Sequence, residues 1–305
     1  MHVFQVGAGS GGIVVLDLLT RDPRITAVTL VEPDIYSPKN VHRHIFPPSA
    51  VGRMKAELAA EWVRERRPDV RFETLAADLT DPVMHPTFGK LAAGCDVGVC
   101  AVDNEPAKYA FDALMRKAGK SWTLGEVLSG GIGGWVHRFT PDGPCYGCVA
   151  SHLQRSVTEE PQAPPPDYAN PGGPVPETTV PASKASIEVI AGLHAVATLD
   201  LLASRACPDL PDRGAAEDGR DTQRERPEEA TLLAHAPGSP GGADFTSLLF
   251  TLTRVPGVFE EAFRSFRFRI AKSQACLFCS AVPVPAAGED LDVALDQALA
   301  RLGND

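Results

Sequence analysis

Apolar positions along this chain come in short runs of strand length followed by longer stretches of helical spacing, and the two alternate. Val3 to Val6 is such a run, and it leads into Gly7, Gly9 and Gly12 before an apolar helical stretch from Ile13 to Leu19. Ala27 to Val31 predicts a second strand, and Gly52 and Lys55 begin a helix to about Arg67, with Ala56, Ala59, Ala60 and Val63 on its inner stripe and Pro68 as its stop. A strand is expected around 70–75. The run CDVGVCAV, Cys95 to Val102, has the small, continuous apolar character of a strand buried on both faces of a parallel sheet. A helix over 106–118, a strand over 121–127 and an edge strand from Gly130 to Phe139 complete another step. Ile187 to Leu202 is the strongest apolar helix of the second half, and Phe266, Phe268 and Ile270 alternate with arginines at the strand period. This βα alternation predicts an α/β fold: a Rossmann-like, doubly wound, mostly parallel sheet extended by antiparallel strands.

Two segments break the pattern. Residues 155–183 shift to Pro, Glu, Ala and Gly, a composition that packs no core, and 208–243 are rich in charge, Pro and Gly. The expected organisation is therefore a nucleotide-binding domain over 1–150, a mobile Pro-rich crossover loop over 151–186, and a C-terminal part of the same domain over 187–305 carrying an exposed insertion at about 208–243. No internal repeat is visible.

Composition narrows the class. The 305 residues are 44% hydrophobic and 22% charged, which is globular, and a net charge of −10 argues against nucleic acid or an anionic membrane as the main partner. With a strand starting within three residues of Met1 and no apolar run approaching a membrane span, neither a secretory signal nor a transmembrane segment is expected. Four of the seven cysteines form two CxxC pairs, Cys145/Cys148 and Cys276/Cys279. That usage fits a reducing, cytoplasmic location and the ligand geometry of a closed tetrahedral zinc knuckle.

The order of strand, glycine turn and helix is what a phosphate site requires, because glycines let the backbone approach phosphate oxygens and the helix start supplies free N–H groups. Glu32, closing the second strand, stands where a carboxylate accepts from a ribose hydroxyl. These features leave NAD, FAD and ATP open. Asp34, Asn40, His42, Arg43 and His44 crowd the segment leaving that strand, and Asp103 and Asn104 end the buried run, again at a carboxyl end. Asp103 is also a candidate helix cap.

Taken in order, GAGSGG, VEPD, N-x-x-R (Asn40 to Arg43), G-x-x-K (Gly52 to Lys55), VDN (102–104), PCYGC and CLFC resemble the ThiF/MoeB adenylating enzymes, the superfamily that includes the ubiquitin-activating (E1-like) enzymes. The resemblance covers about residues 1–150, the helix at 187–202 and the last CxxC. It implies ATP-dependent adenylation of the C-terminal carboxylate of a ubiquitin-like or sulfur-carrier protein, with Mg²⁺ and Zn²⁺ bound, a conjugating enzyme or sulfur donor downstream, and a homodimer. By similarity Gly7, Gly9, Gly12, Asp34 and Asn104 line the nucleotide, Glu32 takes the ribose, and Asn40, Arg43 and Lys55 contact and neutralise phosphates. Asp103 holds magnesium, and Cys145, Cys148, Cys276 and Cys279 hold zinc. His42, His44 and His194 are left as structural, because an ionised carboxylate needs no general base.

The chain also departs from that pattern. Many relatives carry an acyl-accepting cysteine in the crossover loop, and 149–186 contain none after Cys148. Cys95 and Cys100 fall in a buried run, Cys207 is the remaining thiol, and Thr178, Thr179 and Ser183 have no partnered base in the sequence. With the first strand starting within three residues of Met1, the arginine that relatives often carry on an N-terminal arm is not expected, His44 stands where Gln is usual, and Glu32 where Asp is usual. The expected chemistry is adenylation with direct handover, the Pro-rich loop covering the carrier's tail. The alternatives are adenylation of a peptide or small-molecule carboxylate, and a non-catalytic scaffolding homologue.

Overall fold

The computed structural model describes residues 1–154, 181–206 and 245–280. Cys207, Thr178, Thr179, nearly all of the Pro-rich loop and the insertion at 208–243 lie outside the described residues. Eight strands form one sheet in the order β3-β2-β1-β4-β5-β6-β7-β8. Strands β1 (His2–Val6), β2 (Ala27–Val31), β3 (Arg71–Leu75), β4 (Val97–Cys100) and β5 (Trp122–Val127) are parallel. Strands β6 (Gly133–Phe139), β7 (Ser247–Thr251) and β8 (Ser265–Phe268) extend the sheet antiparallel.

Strand β1 pairs with both β2 and β4, so the connections leaving these strands diverge around it. A crevice at the carboxyl ends is the geometric result. Strand β2 is buried at every position, whereas β3 is the exposed edge. Helices α1 (Gly12–Thr20), α2 (Lys55–Arg66) and α6 (Lys184–Ala206) share a core with one face of the sheet, built on Leu16, Leu19, Leu30, Val63 and Leu202. On the other face α3 (His85–Gly94), α4 (Glu105–Lys117) and α5 (Tyr146–Gln154) enclose Phe4, Phe88, Phe111, Met115 and Trp122. Trp122 stacks on Phe139 at 4.0 Å between centroids, which locks the antiparallel β5–β6 step to that core.

Most predicted elements stand within a few residues of their expected bounds. The expected strand over Cys95–Val102 shortens to Val97–Cys100 because Cys95 closes α3, its thiol donating to Ala92 O at 3.2 Å. Helices α3 and α5 and strand β7 have no counterpart in the sequence reading. Helix α6 corrects one expectation: it is 23 residues long and, by length and composition, apolar enough to cross a membrane. Its buried stripe, Ile187, Ile190, Ala191, Ala195 and Leu202, packs inside this domain. Ser183 caps it, accepting from Ser186 N–H at 3.1 Å.

Candidate functional site

The crevice where β1 lies between β2 and β4 is a cavity of about 950 Å³. The backbone leaves β1 at Gly7 with φ of +93°, and a Cβ there would sit 2.4 Å from Ala101 O. A Cβ on Gly12 would sit 2.5 Å from Gly7 O. Both glycines are thus required by backbone packing. Gly9 differs: nothing lies within 4 Å of its missing Cβ, and it borders the cavity. The buried Gln5, in the middle of β1, clamps the turn by donating from Nε2 to Gly7 O (2.9 Å) and Gly12 O (2.8 Å). The sequence reading missed Gln5, although one amide inside an apolar strand is itself a signal.

Glu32 is 4% exposed and accepts from the backbone N–H groups of Ala8 and Asp34. Burial raises its pKa despite these bonds and the nearby Lys55 charge. Each carboxylate oxygen retains a lone pair, so a ribose hydroxyl would still find an acceptor. Lys55 is buried, with Nζ 2.7 Å from Asp34 Oδ2 and 3.9 Å from Glu32 Oε1. Asp34 therefore anchors Lys55 from the solvent side. Arg43 borders the same cavity, and its buried Nε has no hydrogen-bond partner. A buried, unpaired guanidinium N–H is costly unless an anion completes it.

Two expected nucleotide contacts are largely spent on local structure. Asn40 Oδ1 accepts from Ser37 N–H (2.9 Å) and Ser37 Oγ (2.8 Å), folding the turn over 37–40 and leaving only its amide NH₂ for a phosphate. Asn104, not Asp103, caps α4, accepting from Ala107 N–H at 2.9 Å. Asp103 is left exposed at the cavity, without a hydrogen bond or ion pair to any described residue. An unpaired carboxylate lining the same cavity as Arg43 and Lys55 is a group that could hold a divalent metal. The structure thus brings Gly9, Glu32, Asp34, Arg43, Lys55 and Asp103 around one cavity.

Beyond Asp103 the wall is a charged network absent from the sequence reading. Lys108, 5% exposed, pairs with Glu105 Oε1 at 2.7 Å and with Glu126, whose other oxygen meets His137 Nε2 at 3.1 Å. Burial alone would raise the Glu126 pKa, but the His137 bond and the Lys108 charge hold it down at about 2. Glu105 also accepts from Tyr146 OH at 2.8 Å, tying this wall to the helix that follows Cys145. Signals existed: E-P-A-K places Glu105 and Lys108 three apart, and Glu126 interrupts an apolar strand.

Cys145, Cys148, Cys276 and Cys279 converge, their sulfurs all within 4.8 Å of one another. Neighbouring Sγ atoms are 3.4 to 3.7 Å apart, too far for a disulfide and close to the roughly 3.8 Å edge of a tetrahedron with zinc–sulfur bonds of about 2.3 Å. All four ligand positions are filled by sulfur, so the site is built for structure. Cys100 is fully buried and its thiol is pushed up to about 12 by burial, which leaves it inert.

His44 and His194 are buried within the packing, as expected. His44 Nε2 donates to Ala8 O at 3.0 Å, and His194 Nε2 meets Thr123 Oγ1 at 3.0 Å. Burial lowers both from 6.5 to about 4. Between those values the unfolded chain binds protons that the fold refuses, so this stability is complete above about pH 6.5 and drains away as pH falls to about 4. Glu32 and Asp112, with raised pKa values, act in the opposite sense. His44→Gln keeps a donor for Ala8 O and leaves those carboxyls in place. Its Tm is expected to fall less steeply than that of the wild type from pH 6.5 to 4.5, and parallel slopes would refute the assignment.

The chain is 32% identical over 149 residues to the SAMP-activating enzyme E1 of Haloferax volcanii, covering 48% of this chain and 53% of that one. Ubiquitin-like modifier-activating enzyme 5 of Dictyostelium discoideum is 28% identical over 169 residues, covering 52% and 44%. The chain thus spans about half the length of the curated relatives it matches. Among solved structures, E. coli MccB with MccA-N7isoASN superposes with a TM-score of 0.61 over 92% of this chain and 67% of that one, at 13% identity, which bears on the fold alone. The sequence model of the ThiF family matches residues 1–232 of the 305, and the chain belongs to that family.

Proposed function

We propose that this protein activates the C-terminal carboxylate of a ubiquitin-like or sulfur-carrier protein by ATP-dependent adenylation. The observation that carries the reading is the set of unsatisfied groups around one crevice: the orphan Arg43 Nε, the unpaired Asp103 carboxylate and the open backbone at Gly9. Membership of the ThiF family and the likeness to two E1-type enzymes support it. A carboxylate oxygen attacks the α-phosphorus of ATP, the bond from that phosphorus to the bridging oxygen breaks, and pyrophosphate leaves with the electron pair. The products are an acyl-adenylate and pyrophosphate, and no proton is transferred in the step.

The residues address the charge problem of bringing two anions together. Arg43 supplies the unpaired N–H to a phosphate oxygen, and Lys55, held by Asp34, adds positive charge from a fixed position. Glu32 takes the ribose and Asn40 offers its NH₂. Asp103 would hold Mg²⁺, which neutralises phosphate oxygens when bound. Because 149–186 contain no cysteine after Cys148, the acyl group passes directly to a sulfur donor or a conjugating enzyme. A homodimer is expected, and gel filtration with light scattering checks it.

The deciding experiment is ATP–pyrophosphate exchange with a Gly-Gly-ended carrier or tail peptide, compared with small carboxylic acids. Exchange with the small acids alone would overturn the carrier reading. The glycines give a further test. Gly9→Ala should keep its Tm yet weaken ATP binding, since its new methyl fills ligand space. Gly12→Ala should lose about 5 °C or more of Tm, since its methyl meets the Gly7 oxygen. Equal behaviour of the two variants would contradict this division of roles.

A further inference from the structure

Buried polar atoms without a hydrogen bond are scarce in folded proteins, and three of those among the described residues, Arg43 Nε, His44 Nδ1 and Lys184 Nζ, belong to one neighbourhood. The charges of Lys55, Lys184 and Arg43 all bear on the His44 ring, and His44 is 4% exposed. Because His44 Nε2 donates to Ala8 O, the ring proton sits there and Nδ1 keeps a lone pair. Lys184 Nζ lies 2.6 Å from Glu188 Oε1, one turn along α6, but without hydrogen-bond geometry. Its ammonium is paired in charge and has made no hydrogen bond.

Helix α6 is what carries Lys184 to this place. Residues three and four apart share a helix face, and Ile187, Ala191 and His194 form the stripe of α6 that lines the cavity. Lys184 stands three residues before Ile187, at the start of that stripe. Ile187 meets the glycine turn directly, its Cγ2 lying 3.6 Å from the position of a Cβ on Gly11. Pro181 and Ala182, just ahead of the helix, border the same cavity as Gly9 and Arg43. The first turn of α6 therefore reaches the phosphate side of the crevice, and the helix start adds partial positive charge there.

Two cationic donors gathered near one buried lone pair are costly to the fold as they stand. A water molecule would satisfy bonds and leave the positive charges unbalanced. An anion does both: it accepts from Arg43 Nε and from Lys184, while a further Lys184 N–H remains for His44 Nδ1. Glu32 accepts from Ala8 N–H, so a ribose held by Glu32 sets the first phosphate against the glycine turn itself. The cations then take the two phosphates that follow.

We infer that Lys184 is a further phosphate-holding residue, which α6 delivers to the β- and γ-phosphates of ATP alongside Arg43. The inference rests on the adenylation reading and adds a cation from the second half of the chain. Lys184 acts on the pyrophosphate portion of the nucleotide and leaves AMP to the glycine turn and Glu32.

Isothermal titration of the full chain with ATP, pyrophosphate and AMP, each with Mg²⁺, tests this. Lys184→Met keeps the apolar stem and removes the charge. It is expected to weaken ATP and pyrophosphate about tenfold each and to leave AMP within about twofold, and Lys184→Arg should restore most of the loss. Tm should stay within about 2 °C of the wild type, since Lys184 makes no hydrogen bond in the fold. An equal loss for AMP would indicate a packing role and overturn the inference. Unchanged affinity for ATP and pyrophosphate would also overturn it while leaving adenylation standing. A wild type that binds neither ATP nor pyrophosphate would bring down the adenylation reading and this inference together.

Discussion

Asp103→Ala and Arg43→Ala are each expected to lower tail-dependent pyrophosphate exchange by roughly 10²–10³-fold, the usual cost of removing one preorganised charge-stabilising group. Neither change should unfold the protein. Asp103 is exposed and bonds to no described residue, because Asn104 already caps α4. Arg43 Nε is buried without a partner, so the fold itself gains little from it. Tm within about 2 °C of the wild type, with exchange lost, is the expected pattern. Lys55→Ala makes the informative contrast. Its ammonium sits 2.7 Å from Asp34 and 3.9 Å from the buried Glu32, so truncation removes the proposed phosphate contact and also strands a buried carboxylate. That variant should lose both exchange and Tm. Undiminished exchange in Asp103→Ala and Arg43→Ala would end the roles assigned to these two residues, whereas a wild type that supports no exchange would favour a scaffolding homologue.

The second large effect concerns the four sulfurs. Cys276→Ser is expected to reduce bound zinc from one per chain to near none by elemental analysis. The 270–280 segment should then become sensitive to protease, because the knuckle is what joins it to Cys145 and Cys148. Structural zinc contributes folding free energy directly, so a chelator strong enough to strip it should lower Tm of the wild type as well. The network from Tyr146 through Glu105 to Lys108 links the knuckle to the cavity wall, so metal loss should also raise KM for the acyl substrate. A fully stable, protease-resistant, metal-free protein would show that four reduced cysteines merely pack together.

Much of the fold was legible because the requirements were local. The strand–glycine–helix order at 3–19, the apolar periodicities of α2 and α4 and the CxxC spacings all report on neighbours within a turn or two. Helix α3, helix α5 and strand β7 were missed for the converse reason, since their burial comes from partners far along the chain. The membrane expectation shows the same limit. Composition does not distinguish a core helix from a membrane span, and it is packing against α1, β5 and β6 that occupies the buried stripe of α6.

At the site, sequence alone determined which chemical groups are present and in what order: a glycine turn, an acid after β2, cations at 43 and 55, an acid at 103 and four thiols. Tertiary structure alone decided what each group has left to offer. It spent Asn104 on a helix cap and the Asn40 oxygen on a turn, tied Lys55 to Asp34, and left Arg43 Nε and Asp103 unpaired. It also made Gly7 and Gly12 packing requirements while keeping Gly9 open, and it placed Lys108 and Glu126 together across 18 residues. The physical reason is that residue identity sets a side chain's bonding capacity. How much of that capacity remains for a ligand depends on neighbours that only the folded chain brings within hydrogen-bond distance.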